Sequence, residues 1–519
     1  MFSSFYFCEE FVQMRLTYNR IRYLIYAYIG LPVFIFLTFY LRLWFIGIPF
    51  AALVITFFVL QRKKASSDIK LDKDAVTLHK GSVIVYAALS VIWTFFGGQG
   101  GHYYQSTDWG IRNAIFRDLI TRPWPVVYPE RGRMLVYYIG HWMTPALLSK
   151  GLTVTPLSSD AVWTIANQLL WLHTAAGVFI VMLLLLCIVR TDSLKKQILI
   201  PLILIGFSGM DILGALLDKF IFHEVAIDPF HIEWWSGFLQ FSSTTTCLFW
   251  VFNQAVIPWI AVLCLFLEKS PSSYVFLGLC ASLAGPIPFM CIFVYMAVLG
   301  IRRVIALRNK EVIKEIFDPV NLASVIPLLM VVRFYSTNAA INASGNSLGD
   351  VSYSFLWFKI NAIPDEVVLR HIILFLLLEA VIYIVLLYAT NSRNCMYWTT
   401  AAVLMISPFV SMGNQGDFVM RFSVPAVMVM LALCAKALLS DDDKEKTTKL
   451  LKIILIVCLV IGSVTPMVEF ARGFYTTART GRINNSFDNV ITLDNDDENI
   501  NFMAYDYKND DFLRRITGS

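Results

Sequence analysis

Asp108 opens a short stretch, Gln105-Ser106-Thr107-Asp108-Trp109-Gly110-Ile111-Arg112, that follows a glycine-rich exit, Gly97-Gly98-Gln99-Gly100-Gly101, from an apolar run. A carboxylate beside water at the end of a buried segment can take a proton from a sugar or polyol hydroxyl as that hydroxyl attacks. Arg112, one helical turn on, lies on the same face and would keep the carboxylate ionised. A second reading stays open: Asp108 caps the helix and pairs with Arg112. A second constellation reads Gly413-Asn414-Gln415-Gly416-Asp417-Phe418-Val419-Met420-Arg421, with Arg421 opening an apolar helix. A charged residue at a membrane boundary is costly, and a planar guanidinium matches phosphate two-pronged. The alternative is that Arg421 snorkels or pairs with Asp417. Arg333 is a similar site at the end of another apolar run. A third stretch holds Glu224, Asp228, His231, Glu233, Trp234 and Trp235, then Gln240 to Thr246. His231 and Glu233 can contribute to a divalent-cation site, and the two tryptophans read first as interfacial anchors.

The elements that must hold these residues are set by composition. Of 519 residues, 57% are hydrophobic and only 15% charged, and the mean hydropathy is +0.64. A soluble domain carries roughly 25% charged residues, so this chain has too few to cover a water-exposed particle. That excludes a soluble enzyme, a disordered scaffold and a nucleic-acid-binding domain. The nine cysteines form no CxxC pair or zinc spacing and read as small apolar packing residues. There is no Walker A sequence, GxGxxG fingerprint, HExxH or GxSxG. The first residues carry Glu9, Glu10, Arg15 and Arg20, unlike a cleavable signal peptide.

A bilayer core needs about 20 apolar residues per helix. Such runs fall near 21–40, 43–61, 81–97, 161–189, 196–217, 242–267, 319–337, 368–390, 397–411, 423–440 and 450–470. The run 273–300 is broken at Gly285-Pro286-Ile287-Pro288, which predicts a hairpin of two short half-helices. The expected fold is an all-α polytopic membrane protein with about 11–13 transmembrane helices in a single domain, 1–519. Basic clusters at Arg62 to Lys73, at Arg190 to Lys196, at Arg302 to Lys314 and at Lys444 to Lys452 share the cytoplasmic side only if 273–300 enters and leaves on one face. The N-terminus is then cytoplasmic. The loop 98–160, with amphipathic interfacial helices, and the acidic tail 471–519 face outside or the lumen. Ile111, Ile115 and Leu119 give the loop's first helix one apolar stripe, which suits a helix lying in the interface. The acidic residues of the tail read as a solvated flank.

An acidic residue in an early outer loop followed by interfacial helices, within a many-span chain, resembles the GT-C superfamily of integral-membrane glycosyltransferases. Here the loop follows the third apolar run rather than the first, so 1–61 would be an added hairpin. The resemblance implies transfer of a sugar from a polyprenyl-phosphate or -diphosphate donor to a glycan, lipid or protein acceptor. It implies Asp108 as the base. Arg421, with Arg112 and Arg333, would bind the donor phosphate. Asp118, Glu130, Arg131, Asp417 and His141 would surround the substrate. No metal ligand is assigned, though a divalent cation is compatible. A secondary transporter or flippase, and a polysaccharide polymerase or ligase, are the competing readings.

Overall fold

The computed structural model describes residues 14–67, 75–225, 228–307, 310–339, 354–355, 365–412, 416–441, 448–480, 486–495 and 502–518. Most of 338–367, together with Lys70, Lys73, Arg308, Lys444, Lys446, Cys8 and Gly413-Asn414-Gln415, lies outside them. Among the described residues, eight helices are long and apolar enough to cross a membrane. Five shorter apolar helices accompany them: Trp44–Val59, Lys80–Phe96, Phe252–Leu267, Pro271–Ala284 and Cys395–Phe409. The protein is therefore an all-α polytopic membrane protein. Its strands are short and form two pairs and one three-stranded sheet among the described residues.

The helices form one bundle whose two ends are distinguishable by their contacts. At one end, strand Met14–Leu16 pairs with Val76–Leu78, and the Thr77 N–H donates to Asp192 Oδ1 at 2.6 Å. Asp441 accepts there from the Thr191 hydroxyl and pairs with Lys196. Glu268 accepts from the Tyr18 and Tyr26 hydroxyls at the same end. Arg190, Lys196 and Arg303, from two of the basic clusters, lie on this end.

The run 273–300 does form a hairpin. Pro286 has no N–H to continue the first helix, Tyr274–Ala284, and the second, Pro286–Leu307, turns back beside it. At the turn, Leu283 O accepts from the Tyr335 hydroxyl at 3.1 Å. At the far end, Arg303 pairs with Glu315 at 2.6 Å, and Asn321 Nδ2 of the next helix donates to Pro271 O at 2.7 Å. Both ends of the hairpin thus meet the basic end. Its second helix has 22 residues and is not short.

Two spans depart from simple rods. The run 242–267 is broken at Val251, leaving a short helix, Thr244–Trp250, capped by the Ser243 hydroxyl. The run 196–217 is interrupted between Gly206 and Asp211, where Gly209 and Ser208 stop the helix.

The opposite end carries the 98–160 segment. Its helix Trp109–Thr121 does not lie on a lipid surface: Ile115, Leu119, Phe116 and Ile120 are buried within the protein. Helix Gly140–Leu152 packs beside it. Val127–Tyr128, Arg133–Leu135 and Met503–Ala504 form a three-stranded antiparallel sheet, so the tail supplies a strand to the loop. The tail is therefore docked, not a solvated flank. Asp494 pairs with Arg122 at 2.9 Å, and Asp510 caps the last helix through the N–H groups of Phe512 and Leu513. Asp496, Asp497 and Glu498 lie outside the described residues.

Candidate functional site

The end of the bundle that carries the 98–160 segment encloses a cavity of about 650 Å³. That is within the usual size of small-molecule sites, roughly 300–1,000 Å³. Five chain segments build it. The loop before helix Trp109–Thr121 supplies Tyr104, Thr107 and Asp108; the stretch 228–242 supplies Asp228, His231, Glu233 and Trp234. The broken helix at 250–251 supplies Trp250, and the helices Asp417–Leu439 and Val464–Thr480 supply Asp417, Arg421 and Glu469. Carboxylates and aromatic rings predominate, a lining that suits a polyhydroxylated ligand by hydrogen bonding and ring stacking.

Asp108 ends the loop at the first helical turn, and its side chain accepts no cap hydrogen bond from that helix. It accepts from Arg112 Nη2 at 2.9 Å and is 49% exposed, while Arg112 is 8% exposed. Arg112 Nε and Nη1 are buried without a partner. The pair therefore presents a carboxylate to the cavity from a buried guanidinium behind it.

Arg421 sits in the second turn of a helix that starts at Gly416, whose φ of 84° favours glycine. No side chain caps that N-terminus. Its N–H groups and dipole face the cavity end. Asp417 approaches Arg421 to 3.5 Å, beyond a good charge-assisted hydrogen bond. Arg421 Nε is buried and unpartnered. Tyr138, Asp417, Tyr137 and Asp108 are its electrostatic neighbours. The structure thus brings Asp108, Asp417 and Arg421 to one cavity, with Arg112 behind Asp108.

It takes the other expected residues elsewhere. Asp118 is 1% exposed and accepts from Tyr128, Thr492 and the Leu493 N–H, which fasten the tail. Burial pushes its carboxyl up against the pull of those hydrogen bonds. We expect Asp118→Ala to free the tail, seen as faster proteolysis after residue 486 with the bundle intact. Unaltered proteolysis would show that the sheet alone holds it. Glu130 and Arg131 lie in an exposed turn, and Arg131 comes within 3.9 Å of Asp494. Arg333 pairs with Asp510 at 2.7 Å and covers the Phe512 ring. His141 is fully buried against Thr174, His173 and Phe252, and burial pushes it well below its ordinary value. Asp118, Arg131, Arg333 and His141 are engaged in packing or tail docking, and Glu130 lies exposed; none of the five lines the cavity.

His231 and Glu233 do not form a cation site together. His231 faces the Arg472 guanidinium, whose Nη1 lies 2.9 Å from its Nδ1, and it stacks on Trp234. A guanidinium in that position repels a metal ion. Glu233 accepts from Gln240 Nε2 at 2.6 Å, the Ser243 N–H at 2.9 Å and the Thr246 hydroxyl at 2.7 Å. Trp234 lines the cavity, but Trp235 is buried against Gly214 and is no interfacial anchor.

Burial, with the nearby Asp211 and Glu469 carboxylates, pushes Glu233 up to about 8. Between its ordinary 4.5 and about 8, the folded chain holds a proton that the unfolded chain has lost. Its contribution to stability therefore falls as pH rises through that window. Glu233→Gln keeps the neutral form, so its thermal midpoint should fall less than wild type between about pH 6 and pH 8. Parallel curves for the two proteins would place the charge change elsewhere.

The cavity also holds residues the sequence analysis passed over. Glu469 accepts from Trp250 Nε1 at 3.0 Å and pairs with Arg472, whose guanidinium covers the Trp250 ring at 4.8 Å. A carboxylate at the end of the apolar run 450–470 was the available signal. Searches against family models, curated proteins and solved structures return no match for this chain.

Proposed function

We propose that this protein is a membrane glycosyltransferase that moves a sugar from a polyprenyl-phosphate or -diphosphate donor to a glycan, lipid or protein acceptor. The observation that carries the reading is the meeting of Asp108 and Arg421 on one cavity lined by carboxylates and aromatic rings. Asp108 takes the proton of the attacking hydroxyl. Arg421, near an uncapped helix N-terminus, stabilises the charge that grows on the departing phosphate oxygen. Asp228, Glu233, Trp234 and Trp250 are suited to the sugar itself. Positive-inside logic applied to the basic end supports a cavity on the outer or luminal face and a cytoplasmic N-terminus.

The test uses the purified chain in liposomes with a panel of labelled polyprenyl-phosphate and polyprenyl-diphosphate sugars. The expected result is release of the lipid phosphate coupled to sugar transfer or slow hydrolysis, without any imposed ion gradient. A polymerase or ligase would differ in accepting only an oligosaccharide donor. The transporter reading has one observation of its own. Asp211 and Glu379 are buried near the middle of two spans, one at a helix break and one in a π-turn, and Glu379 faces Asp211 without a well-formed hydrogen bond. Gradient-dependent movement of a substrate with no bond cleaved would favour that reading and reject transfer.

A further inference from the structure

Outside the cavity, three potential ligands converge at the same end of the bundle. Asp218 begins a π-turn, Asp218–Phe222, and His223, with φ of 56°, closes it. The turn brings the next residues back over Asp218, whose Oδ1 accepts from the Glu224 N–H at 3.3 Å and whose Oδ2 accepts from the Val225 N–H at 3.0 Å. His371 arrives from the helix Asp365–Leu376. One ligand atom from each of Asp218, Glu224 and His371 lies within 4.8 Å of the other two.

The histidine tells what belongs between them. Its Nδ1 is 2.8 Å from the Val367 carbonyl oxygen. A carbonyl only accepts, so Nδ1 carries the proton. Nε2 then presents a lone pair, buried and without a hydrogen-bond partner in a residue only 1% exposed. It faces Asp218 Oδ1 at 3.5 Å. Two acceptors opposed in a dry place cost free energy unless a cation joins them. An imidazolium in an ion pair would close to about 2.8 Å, as charge-assisted bonds do. Two ligands on a tetrahedral zinc at about 2.1 Å lie roughly 3.4 Å apart, close to the separation seen. The hydrogen bond from the far ring nitrogen to a backbone carbonyl is the usual support of a metal-bound histidine.

We propose that Asp218, Glu224 and His371 bind one divalent transition ion of the zinc class. His371 Nε2 and one oxygen from each carboxylate are the ligands, and water completes the tetrahedron. Imidazole with two carboxylates favours zinc over magnesium or calcium, which prefer oxygen alone. Arg370 occupies Glu224 Oε1 and leaves Oε2 for the ion. Glu224 is the exposed member and gives the ion its entry. Asp218 and His371 are both buried, and the Trp235 and Phe238 rings lie 6.3 Å from His371. The ion ties the turn after one span to the start of another. The chain leaving this turn, 228–242, is one wall of the cavity, so the ion fixes that wall. The inference stands on its own geometry and is independent of the sugar-transfer reading.

The experiment strips the purified full chain with EDTA, adds zinc alone, and measures bound metal by mass spectrometry after gel filtration. Cobalt is added in a parallel sample, and its visible absorption reports tetrahedral ligation. The expected result is about one zinc per chain, a raised unfolding temperature and an intense cobalt spectrum. His371→Ala and Asp218→Asn lose the metal, Glu224→Gln weakens it, and His231→Ala retains it. A monodisperse wild-type chain that takes up neither zinc nor cobalt overturns the proposal. So does a folded His371→Ala variant that keeps the full zinc content. Should the variants fail to fold, the wild-type cobalt spectrum decides: weak, octahedral-type absorption rejects the site.

Discussion

Asp108→Asn is expected to lower sugar transfer by at least ~10²-fold, the scale on which a positioned general base contributes. The amide keeps the size of the side chain and one acceptor oxygen for Arg112. It cannot accept the proton of an attacking hydroxyl. The fold should hardly notice. The Asp108–Arg112 pair is half open to solvent on the carboxylate side, and such pairs contribute about 0–1 kcal/mol. The side chain also makes no cap hydrogen bond that the change would remove. Donor binding and the thermal midpoint should therefore stay near wild type while turnover collapses. Near-normal turnover in Asp108→Asn would reduce the residue to a partner of Arg112.

Arg421→Ala should cost roughly 10²-fold or more in turnover, as loss of one preorganised donor at a developing oxyanion does. Arg421→Lys keeps the charge and loses the planar fork, so it should also be strongly impaired. Asp417→Asn separates this from a structural pairing. Asp417 stays 3.5 Å from the guanidinium and is itself 37% exposed, so neutralising it should change turnover little. If Asp417→Asn harms the protein as much as Arg421→Ala does, and Arg421→Lys works normally, the arginine serves the ion pair and not a phosphate. Turnover and donor affinity measured across the three variants give the answer.

The spans were legible because apolar length is a strong, local signal. The break at Gly285-Pro286 was readable because proline removes an N–H. The break at Val251 was not, since no proline or glycine marks it. The interruption before Asp211 had its signal in Gly206, Ser208 and Gly209, overlooked within an apolar run. Asp108 and Arg421 stood out as charges at helix starts, and both reach the cavity. Asp118, Arg333 and His141 were also expected at the substrate or donor and yet serve packing or tail docking. What separates the two groups is their partners, Leu493, Asp510 and Thr174, which lie far along the chain. Spacing along a sequence carries nothing about such pairings. The His371 triad escaped for a similar reason: its helix and its turn are about 150 residues apart.

The strand that the tail lends to the loop bears on the order in which this protein matures. Arg117 donates to Val490 O, and Asp118 accepts from the Leu493 N–H, across 373 and 375 residues. During synthesis the loop emerges early, whereas its third strand, Met503–Ala504, comes after the described spans, the last of them Lys449–Thr480. Until then Met134 and Leu135 present an unpaired edge, which invites association with other chains. Closing contacts of such long separation is slow. The nascent protein therefore passes through a state in which the spans are made but the loop's sheet lacks its third strand, the stage at which a chaperone on that side of the membrane would find most to hold.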